Sequence, residues 1–124
     1  MNFPDPSSSS NGSLGAYLSA ILYTGKCLGY EKLPITGGAA IALAAVAANA
    51  RLALCVLEAD ASLVGQARVA RYREDGTAPT TAEGMPIGDN GVFELTGENI
   101  AAFKAISLDP TKTHYLRVQY YGSN

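Results

Sequence analysis

Residues 70–80, ARYREDGTAPT, decide how the rest of the chain is read, because a strand pattern runs there directly into a turn. Arg71 and Arg73 alternate with Ala70 and Tyr72, the period-two pattern by which a strand presents two faces. Asp75-Gly76 supplies a corner in which glycine takes positive φ without steric penalty. Thr77 and Pro79 then hold the chain extended and discourage a helix. No catalytic signature lies in this run, so function has to be read from shape and surface.

The same alternation of strand and turn signals recurs on both sides. Residues 51–58, RLALCVLE, are apolar on both faces, as in a central strand. They stop at Glu58-Ala59-Asp60, and residues 67–74 form the next strand. Gly84-Met85-Pro86-Ile87 leads into the turn Gly88-Asp89-Asn90-Gly91 and the strand at 92–95, followed by the turn at 96–99. Residues 100–108 fit a strand, narrowly over a short helix. Asp109-Pro110 pre-sets a reverse turn, and the last strand follows at 114–121. It carries Leu116, Val118 and Tyr120 on one face and Tyr115, Arg117, Gln119 and Tyr121 on the other. Short strands punctuated by Gly, Pro, Asn and Asp, with no sustained helical repeat, predict an all-β chain: an antiparallel β-sandwich, jelly-roll-like.

The N-terminal third is less regular. Residues 1–15 hold Pro4, Pro6 and a serine run, too little apolar surface to fold alone. Residues 15–30 suit a short helix or a strand, with Tyr and Ile tipping the balance to strand. Residues 31–36 read as an extended edge around Pro34. Residues 37–50, GGAAIALAAVAANA, set alanine's helix propensity against the lack of a polar face. The expectation is an extended, buried segment around 40–43, with a helix as the alternative. The chain thus divides into an extended N-terminal arm, 1–34, and a β-sandwich domain, 35–124. Asp75, Gly76, Pro79, Gly84 and Pro86 are expected to shape turns. Pro4, Pro6, Tyr17, Tyr23, Arg71 and Arg73 are the candidates for a partner interface.

Composition narrows the chemistry. A formal charge of −2 carries no electrostatic footprint for nucleic acid. Residues 35–50 are too short and too small-sided for a membrane span. The opening MNFPDPSSSSNGS lacks the basic start and apolar run of a signal peptide. Cys27 and Cys55 have no CxxC or Cys/His neighbourhood, so free, buried thiols are expected and zinc is not. His114, the only histidine, is expected to be partly exposed at the start of the last strand. Glu74 and Asp75 point to opposite faces of an extended chain, and Glu58 and Asp60 have no third group beside them. Gly88–Gly91 lacks the spaced ligands of a calcium loop. No catalytic residue, metal or cofactor is expected.

Residues 51–58, the run 69–80, Gly84-Met85-Pro86, residues 100–106 and Leu116–Tyr121 together resemble small β-rich virion proteins of tailed bacteriophages. The shared pattern is a strand ending in R-[YW]-R-x-D-G-x-x-P-T, then G-M-P, then a C-terminal V-x-Y-Y strand, and it covers about residues 39–122. The resemblance implies a compact jelly-roll-like sandwich, made in the host cytoplasm and mounted on the capsid exterior as a cement or decoration protein. It implies the major capsid protein as partner and a closed homo-oligomer, a trimer in preference to a dimer. The alternative is a neck, tail or fibre-base module that binds a partner protein or, through tyrosines such as Tyr23, Tyr30, Tyr72, Tyr115, Tyr120 and Tyr121, a host glycan.

Overall fold

A computed structural model describes residues 25–123. Eight strands run in chain order: β1 (Lys26–Ile35), β2 (Ile41–Ala42), β3 (Ala50–Glu58), β4 (Ala70–Arg73), β5 (Met85–Ile87), β6 (Val92–Thr96), β7 (Lys104–Ser107) and β8 (His114–Gly122). A 3-10 turn (Ala61–Leu63) follows β3, and a one-turn helix α1 (Asn99–Ala102) precedes β7. The strands form two four-stranded antiparallel sheets ordered β1-β8-β3-β6 and β2-β7-β4-β5. First strand beside last and second beside seventh is the strand order of a jelly roll. Only the β4–β5 connection stays within one sheet.

Alternation selects the core. From β1, Leu33 and Ile35 point inward; from β3, Ala53, Cys55 and Leu57; from β6, Leu95; from β8, Leu116, Val118 and Tyr120. Three aromatic rings tie the sheets together. Tyr72 of β4 stacks on Phe93 of β6 at 4.3 Å between centroids, and Phe103 lies 5.7 Å from each. Such stacked and tilted pairs add to the stabilisation that area burial alone provides.

Two glycines turn the hairpin that joins β4 to β5. Gly76 has φ +84° and Gly84 φ +135°, conformations that glycine reaches readily. The Asp75 carboxylate accepts from the Thr77 backbone N–H at 3.1 Å. Pro79 is buried, and Pro86, expected to shape a turn, instead lies within β5, paired opposite Arg71. Arg71 holds the loop from below, donating to the Thr81 carbonyl at 3.2 Å and the Gly84 carbonyl at 2.8 Å.

Three expectations need correction. The boundary placed between residues 34 and 35 falls inside β1, whose Leu33 and Ile35 are core residues. Residues 40–43 are extended around β2 (Ile41–Ala42) but only partly buried: Ile41 and Leu43 pack against the core, Ala42 is exposed, and the rest of 37–50 runs through bends and a turn that are mostly exposed. Alanine offers too little apolar area to hold such a run inside; a buried carboxylate holds it instead. Glu31 accepts from the Ala44 and Ala45 backbone N–H groups at 3.1 and 3.0 Å, and from the Tyr120 hydroxyl. Residues 100–108 are neither all strand nor all helix: α1 ends at Ala102 and β7 begins at Lys104. Phe103, extended between them, enters the core.

Candidate functional site

The first sheet has an outer face that no other element among the described residues packs against as a layer. β3 is apolar on both sides, yet only Ala53, Cys55 and Leu57 belong to the core cluster. Leu52, Leu54 and Val56 alternate with them and point away from that cluster, Leu52 covered by its neighbours on the face and Leu54 and Val56 half-buried. Register sets their neighbours. Leu52 pairs with Tyr121 and Thr96, Leu54 with Gln119 and Glu94, and Val56 with Arg117 and Val92. From β1, Tyr30, Lys32 and Pro34 pair with Gln119, Arg117 and Tyr115 and complete the face.

Its polar groups are bound to one another. Arg117 donates to Glu58 Oε1 through Nε at 3.0 Å and Nη2 at 2.7 Å, and to the Tyr30 hydroxyl through Nη1 at 2.8 Å. Lys32 Nζ lies 4.4 Å from the centre of the Tyr115 ring. The Tyr121 hydroxyl donates to Gln119 Oε1 at 3.0 Å. The Glu58 carboxylate beside Arg117 raises the guanidinium's already high pKa. Each exposed ion pair contributes little to stability by itself. Together they hold the rings and the guanidinium in fixed places, which lowers the ordering entropy that a binding partner must overcome.

The tyrosines singled out in the sequence divide by this geometry. Tyr30, Tyr115 and Tyr121 share the outer face. Tyr120 is fully buried with its hydroxyl on Glu31, and Tyr72 is half-buried in the aromatic trio. Pro4, Pro6, Tyr17 and Tyr23 lie outside the described residues. Arg71 and Arg73 belong to the other sheet. Arg71 is bonded to its own hairpin loop, and Arg73 pairs with Asp75. That ion pair and the Thr77 N–H hold the Asp75 carboxyl below its ordinary range. An open depression beside it is lined by Arg73, Glu74, Asp75, Glu83, Gly84, Met85 and Asn99. Among the described residues no three His, Cys, Asp or Glu side chains converge as metal ligands would.

Cys55 is buried as expected, and burial pushes its thiol pKa up to about 12, whereas Cys27 is exposed. His114 is not partly exposed but wholly buried. Its Nδ1 accepts the Asp60 backbone N–H at 2.9 Å, so the ring serves as a latch for the bend after β3. That bond requires a neutral imidazole, and Nε2 is buried with no hydrogen-bond partner. Burial accordingly lowers the His114 pKa from its usual 6.5. The unfolded chain then binds the extra proton, so this contribution to stability is complete above pH 6.5 and is lost as pH falls below it. Asp60, Asp89 and Asp109 have pKa values lowered from 3.8 by hydrogen bonds to Ser62, to the Ala59 and Gly65 amides, and to Thr111. Their contribution is lost only below about pH 4. Thermal denaturation scans should therefore show a first fall in Tm between pH 7 and 5. That fall should be absent in His114→Asn, whose amide oxygen can replace the Nδ1 acceptor, whereas the fall below pH 4 should remain. A wild-type Tm that is flat from pH 7 to 5 would contradict this role for His114.

The outer face had a partial sequence signal. Tyr115, Arg117, Gln119 and Tyr121 on one side of the last strand, and the doubly apolar 51–58, both point to it. The contribution of β1 was hidden because Glu31 interrupts its inward row, Glu31-Leu33-Ile35, with a charge. Comparison with protein-family models, with curated proteins and with solved structures finds no match.

Proposed function

We propose that the chain is a bacteriophage virion structural protein, a capsid cement or decoration protein that bridges and stabilises major capsid protein subunits from the capsid exterior. The observation that carries this reading is the prebuilt outer face of the first sheet, with three tyrosines, a held arginine and a central aliphatic row. Tyrosine and arginine surrounding an apolar centre is the composition of protein-binding surfaces rather than of ordinary solvated ones. Two further points support it. The residues that resemble small phage virion proteins include β3 and β8, the two central strands of this face. The jelly roll is also an architecture of viral capsid domains, a likeness at the level of fold. Cement action needs added contact area across joints between capsomers, and a small sandwich with an N-terminal extension is suited to supply it.

The assay is co-sedimentation of the purified chain with capsids that lack it. Binding of the intact chain should saturate. Leu54→Asp, which places an unpaired charge at the centre of the face, should weaken binding at least tenfold, and deletion of residues 1–15 should weaken it while leaving the sandwich folded. If both variants sediment with capsids as tightly as the intact chain, this assignment of face and arm is wrong. The three tyrosines sharing one face favour a second reading, a neck, tail or fibre-base module that binds host glycans. Hits on a glycan array that vanish with Tyr30→Ala and Tyr121→Ala would support it, and an array without hits would remove it.

A further inference from the structure

We propose that residues 16–23 lie antiparallel along the open edge of β1 as an added strand of the first sheet, so that the chain covers that edge itself. The inference is independent of the cement reading. β1, with ten residues, is the longest of the four edge strands; β2 has two, β5 three and β6 five. An edge strand presents a row of unpaired N–H and C=O groups, and a long one left open invites pairing with another chain. Among the described residues β1 pairs with β8 alone.

Register shows which groups this edge presents. The Leu57 N–H donates to the Gly91 carbonyl, towards β6. Backbone groups in an antiparallel strand alternate in direction, so Leu54 and Val56 bond towards β8, to Gln119 and Arg117. Leu116, Val118 and Tyr120 then bond towards β1, to Leu33, Glu31 and Gly29. Tyr30 and Lys32 therefore direct their N–H and C=O groups away from the sheet. Pro34 belongs to the same set, at a position where no donor is needed. Lys32 and Pro34 blunt the far end of the edge and leave its first part, from Lys26 to Glu31, without that protection.

The surface beside the edge is free of charge. From Gly37 to Ala50 the chain has no charged residue. Glu31 ties Ala44 and Ala45 to the inward side of β1, and the Ala47 methyl lies 3.6 Å from where a Cβ would stand on Gly29. Ala42, Ala44, Ala45, Val46 and Ala48 are exposed there. Edge and strip together make an apolar flank of the kind that marks a contact surface. The place where the described chain begins selects the occupant. Gly25 leads straight into Lys26 at the head of β1, so the residues before it start at this edge, and Thr24-Gly25 stands where their direction would reverse. Ala16–Tyr23 carries no charge and equals Lys26–Leu33 in length, which stops it short of Pro34. Alternation gives it two unlike faces. Ala16, Leu18, Ala20 and Leu22 form one, suited to the alanine strip. Tyr17, Ser19, Ile21 and Tyr23 form the other, which continues the side on which Tyr30 stands. The free arm is then residues 1–15 rather than 1–34.

Hydrogen exchange of the full chain, resolved to single amides by fragmentation in the mass spectrometer, tests this directly. Alternate amides between Leu18 and Leu22, and those of Tyr30 and Lys32, should exchange about a hundredfold more slowly than the amides of Ser7 to Ser10. Leu18→Asp and Leu22→Asp each put a charge against the alanine strip and should speed exchange at Tyr30 and Lys32 about tenfold. Ser19→Asp, on the opposite face, should leave those rates within about twofold of wild type. The Cys55 amide in central β3 should stay slow in all three variants, which separates loss of the added strand from loss of the fold. Fast exchange at Tyr30 and Lys32 in the wild-type chain, or equal effects of Leu18→Asp and Ser19→Asp, would overturn the proposal. Protection that disappears on dilution would place the segment on a second copy and overturn it too.

Discussion

Phe103→Ala should destabilise the sandwich by about 3–5 kcal/mol, the usual range for removing a large buried ring. Phe103 is fully buried and touches the two rings that join the sheets, Tyr72 from β4 and Phe93 from β6. Its loss leaves a cavity where α1 turns into β7, and the backbone there cannot collapse into it without breaking the pairing of β7 with β4. For about 100 folded residues this corresponds to a fall in Tm of roughly 15–25 °C, readable by differential scanning calorimetry. Phe103→Leu should lose less than half as much, because it keeps most of the volume. Val92→Ala, at an exposed edge, should stay within about 0.5 kcal/mol of wild type in the same experiment. A Phe103→Ala protein as stable as Val92→Ala would show that the aromatic trio does not join the sheets.

Glu31→Ala should cost about 3 kcal/mol for a different reason. The Glu31 carboxylate is the acceptor for two backbone amides, Ala44 and Ala45, and for the buried hydroxyl of Tyr120. Hydrogen bonds to a charged group are each worth about 1.5–3 kcal/mol, and an orphaned buried donor costs about 1–3 kcal/mol. The freed amides regain water at the exposed loop, so the sum is smaller than the three bonds would suggest. Tyr120→Phe removes one donor and keeps the ring, and should cost about 1–2 kcal/mol. In a double-mutant cycle the two changes should fall short of additivity by about 1 kcal/mol, since they share a bond. Hydrogen exchange at Ala44 and Ala45 should accelerate in Glu31→Ala and remain slow in Tyr120→Phe. Unchanged protection of both amides in Glu31→Ala would show that the carboxylate does not hold the loop.

These two positions illustrate what the sequence made legible and what it did not. Strand and turn chemistry was local. Period-two patterning in 114–121, the Asp75-Gly76 corner, the apolar run at 51–58 and the other short strands and turns were enough to read an antiparallel, jelly-roll-like sandwich, though not its strand order. Long-range satisfaction was not local. Nothing in the order of residues 31, 44, 45 and 120 announces that one carboxylate serves the other three. The same holds for His114, whose partner Asp60 is 54 positions away. Polar side chains at the head of a strand are ordinarily solvated, and only the folded chain shows this one closing a bend from inside.

The candidate site was half legible for a related reason. β8 and β3 displayed it, because an apolar face additional to the core-facing one has to go somewhere. β1 did not, since an arm boundary at residue 34 removed Tyr30 and Lys32 from the sandwich. Arg71 and Arg73, two arginines on one strand, were candidates for a partner interface, but each is held by groups within its own hairpin. Charge clustering along one strand says little about availability when the adjoining turn supplies carbonyls and a carboxylate.

The most direct test of the cement reading is cryo-electron microscopy of virions assembled with and without this chain. The account expects density on the capsid exterior, seated over joints between capsomers, that disappears when the chain is absent and leaves a less pressure-resistant shell. Density lost only at the neck or tail, or no loss at all, would contradict it.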